Sequence, residues 1–270
     1  MKRHIVFCVA GALLASAALA QPAETPPDGG AERAGRPQRA YANPSALIAA
    51  DIGLARLARE KGRWAAMRET AADGAELFDG RRVIARDWLK AMKDAGAPVS
   101  RTPHAAWISC DGTAAFSTGA AQFPGGEQGV YLTVWERQAK GKIAWKWALD
   151  DAAVLAAPLP PVDWATGTVA DCPVRRRPEG DAPPVAGPTA RQPERLKPGQ
   201  LPPMRPLAGP LPAFDDPPGT DSKQGQSRDG SLAWRSAVMP DGRRRHTIWI
   251  WKDGAMRQVL DRTLATGRGS

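Results

Sequence analysis

Histidine is nearly absent from this 270-residue chain, which carries three. His4 lies at the extreme N-terminus, leaving His104 and His246 in opposite halves of the chain. The usual catalytic and metal-binding patterns are missing too. No H-E-x-x-H, C-x-x-C, phosphate-binding glycine loop or G-x-S-x-G elbow occurs. Neither a metal site nor a cofactor is therefore expected. Cysteine is as scarce, also at three. A nucleophilic Cys110 would need a base, and His104, six positions earlier on the same expected strand, would sit ~20 Å away. That excludes a direct dyad.

Long apolar runs are lacking except at the start of the chain. Residues 5–14 form an apolar core behind Lys2-Arg3, and Ala18-Leu19-Ala20 supplies a small-residue cleavage site. The run is short for a membrane span, and Cys8 within it follows Ile5-Val6-Phe7, a poor context for lipid attachment. Residues 1–20 therefore read as an export signal cleaved after Ala20, placing the chain in a bacterial periplasm or outside the cell with no membrane span. Formal charge is +9, but residues 41–156 hold 15 basic against 13 acidic groups, and residues 157–270 hold 17 against 12. The basicity thus sits late in the chain, in the Arg175-Arg176-Arg177 run and in Arg243-Arg244-Arg245. Export argues against a nucleic-acid partner, and the arginine run reads first as a solvated linker.

Of the cysteines, Cys110 and Cys172 outlast signal removal and would meet an oxidising compartment. They read as a structural disulfide worth about 4 kcal/mol in the chain-entropy model; two unpaired thiols are the alternative.

Residues 21–42 lack apolar periodicity and read as a disordered lead-in. Order begins at Asn43-Pro44, a cap followed by proline at the first helical position. Leu47, Ile48, Ala50, Leu54, Ala55 and Ala58 recur at helical spacing up to Lys61-Gly62. A second helix is expected over residues 63–72 and a short strand over 75–78. A third helix follows over 84–95, with Ile84, Trp88, Leu89 and Met92 inward. Residues 104–151 read as four strands: Asp111-Gly112 marks a two-residue hairpin and Phe123-Pro124-Gly125-Gly126 a second turn. Tyr131, Thr133 and Trp135 then alternate with Val130, Leu132 and Val134, while Trp145, Trp147 and Leu149 share one face.

These residues resemble a family. Lys61-Gly62-Arg63-Trp64, Glu76-Leu77-Phe78-Asp79-Gly80, the helix with Trp88, Ser109-Cys110-Asp111-Gly112, Tyr131 to Trp135 and the closing Trp145 to Asp150 are similar to the nuclear-transport-factor-two-like superfamily. The nearest likeness is to SnoaL-like and exported domains of unknown function. The resemblance covers residues 44–155 and rests on apolar and turn positions, so no catalytic residue is carried over by it. It implies an α+β cone: three N-terminal helices packed on a curved antiparallel sheet, with a pocket at one end and the outer sheet face open to homodimerisation.

The first domain is thus expected over residues 43–156. Residues 157–222 form a Pro/Arg-rich linker: 17 of the chain's 26 prolines lie between Pro158 and Pro218. Asp229-Gly230, Asp241-Gly242 and Asp253-Gly254 recur every twelve residues, which predicts a three-stranded meander over 223–262 and a tail over 263–270. So small a sheet should dock on the first domain, with Trp249 and Trp251 among its buried groups.

For catalysis the candidates are Asp151, Asp150 and Tyr131: a carboxylate at an aromatic rim can act as a base and a tyrosine can hold an oxyanion. Strict alternation puts Asp151, rather than Asp150, on the face of Trp145 and Trp147. Solvent-facing carboxylates ending a strand are the plainer reading and the favoured one. Trp64, Phe78, Trp88, Trp107, Tyr131, Trp135 and Trp147 are the candidate pocket lining, or equally plain core. The sequence favours a protein that binds a small hydrophobic ligand or an envelope protein without catalysis. A SnoaL- or ketosteroid-isomerase-like enzyme, moving a proton on a small carbonyl compound, is the alternative.

Overall fold

The structure is a computed structural model and describes residues 42–94, 97–172 and 211–266. The expected export signal, the expected lead-in up to residue 41, Arg175-Arg176-Arg177 and the end of the expected tail lie outside the described residues. Helix α1 spans Pro44–Lys61. The Asn43 side chain accepts from the backbone N–H groups of Ser45 and Ala46, and Gly62, at φ 94°, ends the helix. Helix α2, Arg63–Thr70, has no cap of its own; Asp94 supplies one, accepting from Trp64 N at 2.6 Å and Ala65 N at 3.1 Å. Strands β1 (Ala71–Phe78) and β2 (Arg82–Ile84) precede α3 (Ala85–Ala91). Then come β3 (Ser100–Ile108), β4 (Ala114–Gln122), β5 (Gln128–Arg137), β6 (Trp145–Val154) and β7 (Thr166–Val169). The chain finishes with β8 (Asp221–Gln226), β9 (Leu232–Val238), β10 (Arg244–Lys252) and β11 (Ala255–Leu264).

The expected fold class needs correction. Strands take 46% of the described residues and helices 18%, arranged as two sheets rather than an α+β cone under a layer of three helices. The first sheet has seven strands in the order β2-β1-β6-β5-β4-β3-β7 and the second four, β11-β10-β9-β8. Helices α2 and α3 have only eight and seven residues, and α1 alone is long enough to lie across several strands. The expected second helix overran Thr70: Ala71 and Ala72 belong to β1 instead. The third stops at Ala91 because Met92 is already extended. Both had been lengthened by apolar spacing that a strand satisfies as well as a helix does.

The C-terminal unit departs from its expected form too. It has four strands, not three, because β8 (sequence DSKQGQ) is polar and mostly exposed and gives no alternation signal. The span expected to be linker also supplies β7, which pairs in parallel with β3. The second sheet lies on the face of the first turned away from α1. Phe78, Phe116, Val130, Leu132, Val134 and Leu149 meet Val238, Ile248 and Leu264 there, and Ala114 and Ala170 meet Leu232 and Ile250. Docking therefore uses the isoleucines of β10. Trp249 points outward and is covered by Phe214, with ring centroids 5.4 Å apart, while Trp251 is half-buried. The outer sheet face that a homodimer would use is occupied by the chain's own C-terminal sheet.

Two like-sequenced turns lock the sheets together. Ser109-Cys110-Asp111-Gly112 and Ser227-Arg228-Asp229-Gly230 each hold a serine hydroxyl on the turn's own aspartate at 2.6 Å. The aspartates then exchange contacts: Asp111 N donates to Asp229 Oδ2 at 2.8 Å, and Asp229 N to Asp111 Oδ2 at 3.2 Å. The disulfide Cys110–Cys172 closes beside this lock, with Cα atoms 5.2 Å apart. Among the described residues no helix is long and apolar enough to cross a membrane.

Candidate functional site

Helix α1 turns Leu47, Leu54, Ala55 and Ala58 toward the first sheet, and Asp51 lies in that stripe with no exposed surface. Opposite it, β5 presents Tyr131, whose hydroxyl donates to Asp51 Oδ2 at 2.7 Å. Arg101, near the start of β3, forks onto Asp150 with Nη1–Oδ1 at 2.7 Å and Nη2–Oδ2 at 2.6 Å. Thr133 donates to Asp150 Oδ1 at 2.7 Å, and the Arg101 guanidinium sits 4.9 Å from the Tyr131 ring centre. A buried charge survives only when paired and hydrogen-bonded, and the bidentate fork meets that condition for Asp150.

Burial shifts this cluster more than any single neighbour. It raises the Asp51 carboxyl, opposed by the Arg101 cation and the Tyr131 hydrogen bond. Tyr131 is raised well above its ordinary value by burial first and by the Asp51 charge second. For Arg101 burial acts downward, yet the charge and hydrogen bonds of Asp150 prevail and raise it. Arg63, at the head of α2, is pushed down to about 10 by burial, with the Arg101 cation adding to the effect.

Asp151 is elsewhere. Val134 pairs with Leu149 but Trp135 with Trp147, so β6 holds one extra residue at that point. This bulge reverses the alternation assumed from the sequence. Trp145 and Trp147 join the α1-side core together with Asp150, while Asp151 faces the second sheet. There its Oδ2 accepts from Arg244 Nε at 2.8 Å and lies 2.7 Å from His246 Nε2. The preference for Asp151 as the carboxylate on the tryptophan face is thus corrected in favour of Asp150, and both are wholly buried rather than solvent-facing. Tyr131 and Asp150 do come together; Asp151 serves the contact between sheets.

The aromatic residues divide in the same way. Trp135 and Trp147 fill the core under α1. Trp64 and Trp88 stack edge-on at 5.1 Å between α2 and α3, with the Trp88 indole donating to Asp79. Phe78 and Trp107 belong between the sheets. The seven therefore do not line one pocket.

A wide concavity lies to one side of the buried cluster. It is an open groove of about 1080 Å³ between α1 and the β5–β6 hairpin. Ala46, Ala50, Gly53 and Leu57 form the helical wall, and Trp135 and Trp145 the sheet wall. The small residues on α1 keep it open: a Cβ on Gly53 would meet nothing within 4 Å. Arg137, Arg228 and Glu69 stand along its lining. Of the expected lining residues only Trp135 contributes.

Sequence reading missed Asp51, Arg101 and the groove. Asp51 was detectable as a carboxylate at the spacing of an apolar helical stripe; Arg101 has no comparable signal. Among the described residues no group of three or more histidine, cysteine, aspartate or glutamate side chains could hold a metal ion. No protein-family model and no curated protein matches the chain.

Proposed function

We propose that this is an exported binding protein that holds a small apolar or amphipathic molecule in the groove between α1 and the β5–β6 hairpin. The observation that carries the reading is the groove itself: a concavity of about 1080 Å³ with tryptophan on one wall and small side chains on the other. Arg137 and Arg228 would suit a ligand with an acidic end. The Asp51–Tyr131 bond braces α1 against the sheet and so fixes the position of that wall, while Arg101–Asp150 ties β3 to β6 beneath it. Export is supported by the N-terminal pattern ending at Ala20 and by the Cys110–Cys172 disulfide. Titration with 1-anilinonaphthalene-8-sulfonate, an apolar dye with one anionic group, tests the reading. Saturable one-site binding that weakens in Leu57→Glu is expected; non-saturating uptake indifferent to that substitution would defeat it.

A second reading, proton transfer on a carbonyl compound, has the Tyr131–Asp51 contact and the raised Asp51 carboxyl in its favour. Both groups are fully buried and neither lines the groove, so the binding reading ranks first. Turnover of enolisable ketones that disappears in Asp51→Asn would reverse that order.

A further inference from the structure

The outer face of the second sheet carries a cavity separate from the groove beside α1. Arg235 on β9 and Thr247 on β10 are direct cross-strand partners on that face. Both are buried, at 4% and 1% exposure. Phe214 lies over them, with the Arg235 guanidinium carbon 4.0 Å from its ring centre. Asp216, two residues on, pairs with Arg235 Nη2. That accounts for one arm of the fork. Arg235 Nη1 and Thr247 Oγ1 have no hydrogen-bond partner among the described residues, and a buried polar atom left unpaired is destabilising.

A cavity of about 410 Å³ opens beside them, lined by Arg235, Phe214, Asp216, Ser222, Lys223 and Gln224. Arg235 has Asp216 as its carboxylate and the neighbouring Arg245 has Asp261, so the cations of this face are balanced and what is missing is an acceptor at the unpaired arm. A planar guanidinium with a free N–H and a hydroxyl across the ladder together suit an oxyanion, while the Lys223 ammonium is already engaged by Glu76. The Phe214 ring would face whatever apolar body the anion carries.

We propose that this cavity binds a small oxyanion, a carboxylate or a phosphate, through Arg235 Nη1 with Thr247 beneath it. Calorimetric titration of the full chain with sodium benzoate and with inorganic phosphate tests it. Saturable one-to-one binding of at least one anion is expected, and the stronger of the two identifies the source, acid or phosphoester. Arg235→Lys keeps the charge but removes the fork and should weaken binding by about tenfold or more. Thr247→Val has the same shape, preserves the fold if the lysine variant does not, and should weaken binding several-fold. Absence of saturable heat with both anions, or unchanged affinity in Thr247→Val, would overturn the assignment.

Discussion

At the scale of single residues, the most consequential groups are three buried ionisable side chains, Arg101, Asp150 and Asp51, that no surface feature advertises. Removing Arg101 while keeping Asp150 would strand a carboxylate that has no exposure. Arg101→Met is expected to lower unfolding free energy by roughly 3–5 kcal/mol in urea denaturation, and a double variant with Asp150→Leu to recover most of it. Asp51 has the opposite character. Burial raises its carboxyl above 3.8 in the fold, so the folded state keeps a proton that the unfolded chain gives up. Its contribution to stability is complete below the unfolded value and is lost as pH rises through the raised folded value. Asp51→Asn should flatten that decline: the urea midpoint of the variant, relative to the parent, is expected to climb as pH rises above about 4. A constant difference across that range would show that Asp51 stays ionised throughout.

At the scale of elements, turns were legible and lengths were not. Asn43-Pro44 caps α1 where read, and Gly112, Gly230, Gly242 and Gly254 all take positive φ in the Asp-Gly turns because only glycine does so without strain. Strand identity in β5 and β6 followed from alternation, but the bulge near Ala148 did not, and it exchanged the faces of Asp150 and Asp151. A one-residue insertion leaves no mark in a pattern of period two. The short helix α2 shows the same limit, since its cap comes from Asp94, thirty positions downstream of Trp64. Replacing that cap by Asp94→Ala should cost about 1 kcal/mol. Gly62→Ala should cost more: its φ is 94° and a Cβ there would stand 2.4 Å from Asp94 Cγ. Thermal unfolding of the two variants, compared side by side, checks the ranking.

At the scale of the whole molecule, two sheets share one buried interface and are tied at one end by the paired Ser-x-Asp-Gly turns and by Cys110–Cys172. Cysteine count and expected compartment pointed to that bridge, against two unpaired thiols as the alternative. The four-stranded second sheet was only partly visible, because β8 is polar, and the fold class was misjudged through helices drawn too long. The bridge closes a loop between positions 62 apart. Reducing it should cost about 4 kcal/mol and lower the melting temperature by roughly 10 °C. A Cys110→Ser, Cys172→Ser variant should match the reduced protein. The interface also explains why the outer face of the first sheet is not free for a second copy of the chain.

The groove reading depends on space beside α1, and Gly53 offers the most direct test of it. Leucine there would project into the groove from a position where a Cβ meets nothing within 4 Å. It should also strengthen the helix, since glycine in a helix interior costs about 0.8–1.0 kcal/mol relative to good formers. The measurement is dye affinity and melting temperature for Gly53→Leu against the parent. The expected result is a higher melting temperature together with an affinity lowered by about tenfold or more. A stabilised variant that binds as tightly as the parent would contradict the account, because the space would then have been filled without consequence.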